Sequence, residues 1–159
     1  MTTLAGKGLL FGGCVALGIL TGLGRVACSA DFRRSLSSLA RELTFSLRPL
    51  PELAKDVAGS GPAGECLRAC RRCFLASGGE SWAESWETVL RETDLPLSDE
   101  DQGLLAEFGQ VLGRYDGESQ QRALQALLDR LGEQVETARQ TARRLVRVDV
   151  TLGVTAGLF

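Results

Sequence analysis

Residues 124–145 read LQALLDRLGEQVETARQTARRL, and this stretch decides the fold class. Leu124, Leu128, Leu131, Val135, Ala138, Ala142 and Leu145 recur at alternating steps of four and three. That spacing holds them on one face of an α-helix. Carried for three heptads with charged residues between, it forms the seam of an antiparallel helical hairpin or a coiled coil. The next step lands on Asp149, where the apolar seam ends.

Upstream, the same periodicity returns in shorter pieces. Phe32, Leu36, Leu39, Leu43 and Leu47 form a stripe that predicts a helix from Asp31 to about Leu47, stopped by Pro49 and Pro51. Pro51 suits the first turn of a short helix running to about Ala58, with Glu52 near its positive end. A Gly-rich loop over 59–64 leads to a helix from Glu65 to about Ala76, and another follows over Ser81–Glu92, anchored by Trp82, Trp86, Val89 and Leu90. Ser98 and Asp101 have the spacing of a capping box for a helix carrying Leu104, Leu105, Phe108, Val111 and Leu112. Gly113 is its stop, and Asp116 the N-cap of the long last helix. No convincing alternating stretch competes with these elements, so the class is all-α.

Both ends lose their charges. Gly8 to Gly24 is an uncharged run of 17 residues, about 26 Å long as a helix and near the lower limit for crossing a bilayer. Lys7 alone precedes it, whereas Arg25, Arg33, Arg34 and Arg41 follow, an asymmetry that favours an N-terminal transmembrane helix with the body on the cytoplasmic side. A signal peptide cut after Ser29 or Ala30 is the competing reading, and a buried helix a third. Gly8 with Gly12, and Gly18 with Gly22, have the small-xxx-small spacing that lets membrane helices approach closely. From Val150 to Phe159 the tail is also uncharged, too short at 10 residues to span alone. The expected organisation is a membrane anchor over 1–28, a cytosolic multi-helix bundle over 29–148 and a short or truncated membrane segment over 149–159.

Composition narrows the chemistry. The chain has no histidine, which removes the commonest general base and metal ligand, and its only lysines are Lys7 and Lys55. Charge is uneven: residues 76–120 carry two basic and eleven acidic side chains, between two mildly basic segments. That pattern argues against nucleic acid and is compatible with a basic protein partner or with a simple solvated face, and with the basic ends near anionic lipid headgroups. Gly59, Gly61 and Gly64 match G-x-G-x-x-G, but no βαβ unit surrounds them and Pro62 removes an N–H from the loop, so an interhelical loop is the better account. Cys66, Cys70 and Cys73 read C-x3-C-x2-C, similar to the cluster motif of radical S-adenosylmethionine enzymes. On a helix their sulfurs continue a core stripe, and a metal site would want a fourth ligand, so buried thiols are expected and a small metal or redox protein is the alternative. No catalytic residue and no cofactor is assigned.

The stretch from Leu104 to Gln120 contains Phe108, Gly109, Leu112, Gly113, Asp116 and Gln120 in the order Phe-Gly-x-x-Leu-Gly-x-x-Asp-x-x-x-Gln. It resembles the stage III sporulation protein AB family. Glu42, the turn Leu50-Pro51-Glu52-Leu53, Trp86, Leu128, Leu131, Leu152-Gly153 and Gly157-Leu158 agree with that family in order and spacing, so the resemblance covers nearly the whole chain. It implies a non-enzymatic, membrane-anchored scaffold on the mother-cell side of the channel complex linking mother cell and forespore, with a membrane helix at each end. The cytosolic domain would be similar to those of inner-membrane platform proteins in type II secretion. The implied partners are the sporulation ATPase and other membrane channel subunits. The six residues of the block serve as fold determinants or as an interaction surface, and the short tail after Asp149 departs from the family pattern.

Overall fold

The computed structural model describes the backbone of residues 2–112 and 117–157 and the side chains of residues 20–112, 117–148 and 151. Six helices follow in order: α1 (Thr2–Phe45), α2 (Leu50–Val57), α3 (Pro62–Ala76), α4 (Trp82–Glu92), α5 (Asp99–Val111) and α6 (Gly117–Gly157), with no strand among the described residues.

The long hairpin forecast by the 124–145 seam is real, and the partner of α6 is α1. Arg33 lies against Gly132, Leu23 and Val26 share a groove with Ala142 and Val146, and Ala40 and Thr44 face Gln121 and Leu124. Rising numbers on one helix meet falling numbers on the other, so the pair is antiparallel. Leu124, Leu128, Leu131, Val135 and Ala142 are buried, while Leu145, the last seam position, is exposed. Between the two long helices, α2 and α3 pack on α1, α4 packs on α3 and α5, and α5 packs on α6. One core results, with Phe32, Leu36 and Leu39 of α1 at its centre.

Three expectations need correction. The helix placed at Asp31–Leu47 begins far earlier: α1 runs unbroken from Thr2 to Phe45, so the uncharged run and the first body helix share one helix. Leu47, expected on the core stripe, lies past the helix end and is fully exposed at 107%. The third concerns the membrane. No helix among the described residues is long and apolar enough to cross one, so the N-terminal transmembrane helix has no support there. Among the residues with described side chains, α1 carries Arg25, Asp31, Arg33 and Arg34 beyond Leu20. Gly8, Gly12 and Gly18 lie outside the residues with described side chains, and Gly22 faces open space within this chain.

The caps follow the sequence closely. Ser81 Oγ accepts from the Glu84 N–H at 3.3 Å to start α4, and Ser98 Oγ accepts from the Asp101 N–H at 3.1 Å to start α5. Helix α3 begins three residues sooner than expected, at Pro62. Its N-cap is Gly61, which has no side chain to offer.

Candidate interaction surface

The residues singled out from the sequence sit mostly inside. Trp86, on α4, is 1% exposed and ties three helices together. Its indole N–H donates to the Leu105 carbonyl of α5 at 2.7 Å, and its ring meets Phe32 of α1 edge-on, with centroids 6.4 Å apart. The ring lies directly over Gly109, where a Cβ would collide with the indole Cδ1 and come within 2.8 Å of Cγ. Phe108 and Leu112 are buried beside it. Gln120, from the first turn of α6, donates its side-chain amide to the Val111 carbonyl at 3.3 Å, joining the end of α5 to the start of α6. Gly113 and Asp116 lie outside the described residues. Four of the six residues therefore meet around one helix, and their contacts are internal.

The G-x-G-x-x-G segment is occupied by the protein itself. Asp31, on α1, reaches the N-terminus of α3, and its Oδ2 accepts from the Ala63 N–H at 3.0 Å. This is where a phosphate would bind in a nucleotide site. A Cβ at Gly61 would collide with the same carboxylate, so the glycine makes room for a cap supplied from another helix.

The cysteines are core groups. Cys66 and Cys70 are buried, Cys73 is half-buried, and Cys28 of α1 is buried nearby. Burial, with smaller contributions from the neighbouring Cys73 and Cys66, pushes the Cys70 thiol up to about 12. Burial also raises Cys66, against an opposing hydrogen bond from Thr93. Metal ligation and redox attack both need thiolate, and burial disfavours it at Cys66 and Cys70. No group of three or more candidate ligands converges among the described residues, so this donor set does not fit a metal or a cluster.

Two polar features escaped the sequence reading. Ser29 of α1 donates its hydroxyl to Asp101 Oδ2 at 2.9 Å, a buried bond that locks the start of α5 onto α1. The other oxygen, Oδ1, has no hydrogen-bond partner among the described residues. Asp101 was legible as a helix-start residue, but only the fold shows that its carboxylate turns inward. Asp31 left one signal: Gly61 stands before a Pro-started helix without any capping side chain.

Apart from Leu75 at the end of α3, which is 53% exposed, the large apolar side chains left exposed among the described residues belong to the two ends of the hairpin. At one, where α1 ends, Phe45 is 83% exposed beside the fully exposed Leu47. From Leu20 to Phe45 the helix rises about 38 Å. At the other extremity, Leu20 and Leu23 of α1 and Leu145, Val146 and Val148 of α6 are exposed together. Both helices continue past this level, to Thr2 and Gly157, so their uncharged runs leave the bundle at the same end.

The fold and surface define an all-α bundle strung on a long antiparallel hairpin, with its sequence-marked residues used in packing and capping. The chain belongs to the stage III sporulation protein AB family, whose model matches residues 3–159. It is 28% identical over 132 residues to stage III sporulation protein AB of Bacillus subtilis (strain 168), covering 80% of this chain and 77% of that protein. A solved structure of stage III sporulation protein AB superposes with a TM-score of 0.69 at 26% identity, covering 76% of this chain and 97% of the other. Family membership supports a role in sporulation.

Proposed function

We propose that this protein is a non-enzymatic, membrane-attached scaffold of a sporulation channel complex between mother cell and forespore, holding a cytosolic ATPase or another channel subunit against the membrane. The observation that carries the reading is the opposition of its two ends. Phe45 and Leu47 stand exposed where α1 ends, while the uncharged runs of α1 and α6 leave the bundle together at the far end. A large aromatic and a leucine left in water are the kind of anchor that protein interfaces bury. Arg48, next to Leu47 in the chain, is paired to Glu52 and Asp56. On this reading the hairpin acts as a strut, attached through its uncharged end and docking through its tip. The cysteine-based metal or redox alternative finds no favouring observation, since no group of three or more candidate ligands converges among the described residues.

The test is site-specific photocrosslinking from positions 45 and 47 of the full chain in sporulating cells, followed by pull-down. The double variant F45D/L47D should fold normally, because both side chains contact solvent, yet lose the crosslinked partner. Recovery of neither an ATPase nor a membrane channel component from the wild-type chain would defeat the docking half of the proposal. A chain that fails to sediment with membranes would defeat the other half.

A further inference from the structure

The α1–α6 hairpin carries a groove of about 440 Å³ at the level where the charged body gives way to the uncharged runs. Its floor is apolar, made by Leu23 and Val26 from α1 and Ala142 and Val146 from α6, and Arg143 and Arg147 stand along its rim. On α6 these positions are neighbours at steps of three and four, so apolar and cationic side chains alternate along one strip. Leu23 and Val146 are 48% and 41% exposed, leaving the floor open to an occupant. Among the described residues no carboxylate lines the groove. Arg139 also lines it but lies 4.0 Å from Glu136, whereas neither Arg143 nor Arg147 has an ion pair among the described residues.

We infer that this groove binds one anionic phospholipid, its headgroup phosphate held by Arg143 and Arg147 and the start of an acyl chain laid along Leu23, Val26 and Val146. The inference rests on the membrane attachment proposed above and names the lipid that the attached end selects. Guanidinium groups hold phosphate oxygens through paired N–H donors, which an ammonium cannot match. A zwitterionic lipid brings its own cation to the same place and forfeits that gain. Free phosphate shares the arginine chemistry but leaves the apolar floor empty. The height of the groove agrees with the assignment, because arginines at the margin of an uncharged run stand at headgroup level.

The experiment is native mass spectrometry of the full chain, purified in a neutral detergent and titrated with phosphatidylglycerol or with phosphatidylcholine. Wild-type protein should retain one phosphatidylglycerol and discriminate against phosphatidylcholine. Removing two cations near an anionic headgroup in R143Q/R147Q should weaken retention roughly thirtyfold. Both arginines are exposed, so melting of the double variant should match wild type. L23Q should also weaken phosphatidylglycerol retention, which a site for phosphate alone would not show. Equal retention of the two lipids, unchanged binding in R143Q/R147Q, or displacement of the lipid by inorganic phosphate would each overturn the assignment. Sedimentation with cell membranes separates the two levels of failure. A chain that sediments but shows any of those results loses only the groove, and one that does not sediment loses the attachment and the groove together.

Discussion

Replacing Gly109 by Ala adds one methyl group where Trp86 already stands. The new Cβ would overlap the indole Cδ1 and crowd Cγ at 2.8 Å and Nε1 at 2.9 Å. Trp86 is 1% exposed and wedged between α1 and α5, so it has no free space into which to withdraw. Overpacking of this kind costs about 1–3 kcal/mol. Shifting the ring also breaks its bond to the Leu105 carbonyl, 2.7 Å long, for about 1–2 kcal/mol more. Against this, alanine favours the helix over glycine by about 1 kcal/mol. The net is a loss of about 1–4 kcal/mol, or a fall in Tm of roughly 3–15 °C for a chain of this size.

Gly103 supplies the control on the same helix. Nothing lies within 4 Å of where its Cβ would stand, and it is exposed. Gly103→Ala should therefore stabilise by about 0.5–1 kcal/mol through helix propensity alone. Urea unfolding followed by circular dichroism at 222 nm measures both, and tryptophan emission reports whether the indole environment changes in Gly109→Ala. If Gly109→Ala proved as stable as Gly103→Ala, the close packing of α4 on α5 would be refuted.

Other consequences follow from the buried polar contacts and thiols. Asp31→Ala removes the cap of α3 and should cost about 1 kcal/mol, read as a lower urea midpoint with an unchanged m-value. Ser29→Ala leaves the buried Asp101 carboxylate without its hydroxyl donor and should cost about 1–3 kcal/mol; an unchanged midpoint would mean that the bond is not made in solution. Thiol labelling of the native chain at pH 8 should be slow at Cys66 and Cys70 and faster at the half-buried Cys73, with complete reaction only on unfolding. The Cys70 pKa is raised on folding from an ordinary value of 9.0 to about 12, so its contribution to stability is fully present below pH 9 and is lost as pH climbs toward 12. Chemical denaturation across that range should show a falling midpoint, and Cys70→Ala should flatten the fall.

The fold was legible wherever a residue's role depended on its neighbours along the chain. The 124–145 seam marked α6, Ser81 and Ser98 marked the starts of α4 and α5, and Pro51 marked that of α2, whereas α3 was placed from Glu65 and starts three residues sooner. It was illegible where the role depended on an element distant in sequence. Asp31 looked like the beginning of a helix, because an acidic residue before an apolar stripe carries that meaning locally. In the fold it lies within α1 and caps α3, 32 positions away. Ser29 and Asp101 are 72 positions apart and could not be paired by periodicity. The end of α1 misled in the opposite sense: Leu47 kept the spacing of the core stripe one step beyond Leu43, but the helix stopped at Phe45 and the step lost its meaning.

That last residue bears directly on function. A stripe position stays apolar either because it is buried in its own chain or because something else buries it. Phe32, Leu36 and Leu39 satisfy the first condition and Leu47 does not. At the other end of the hairpin Leu23 and Val146, off both stripes, are also exposed, with Arg143 and Arg147 as neighbours. Exposed apolar positions thus stand at the two places where the scaffold reading requires contact, a protein at the tip and a lipid at the base, and only Leu47 at the tip continues the core periodicity. F45D/L47D and R143Q/R147Q alter those contacts without touching the core, so each should leave the melting curve in place while abolishing a different association. Loss of both associations in either variant would mean that the two ends are not independent, and the strut description would fail.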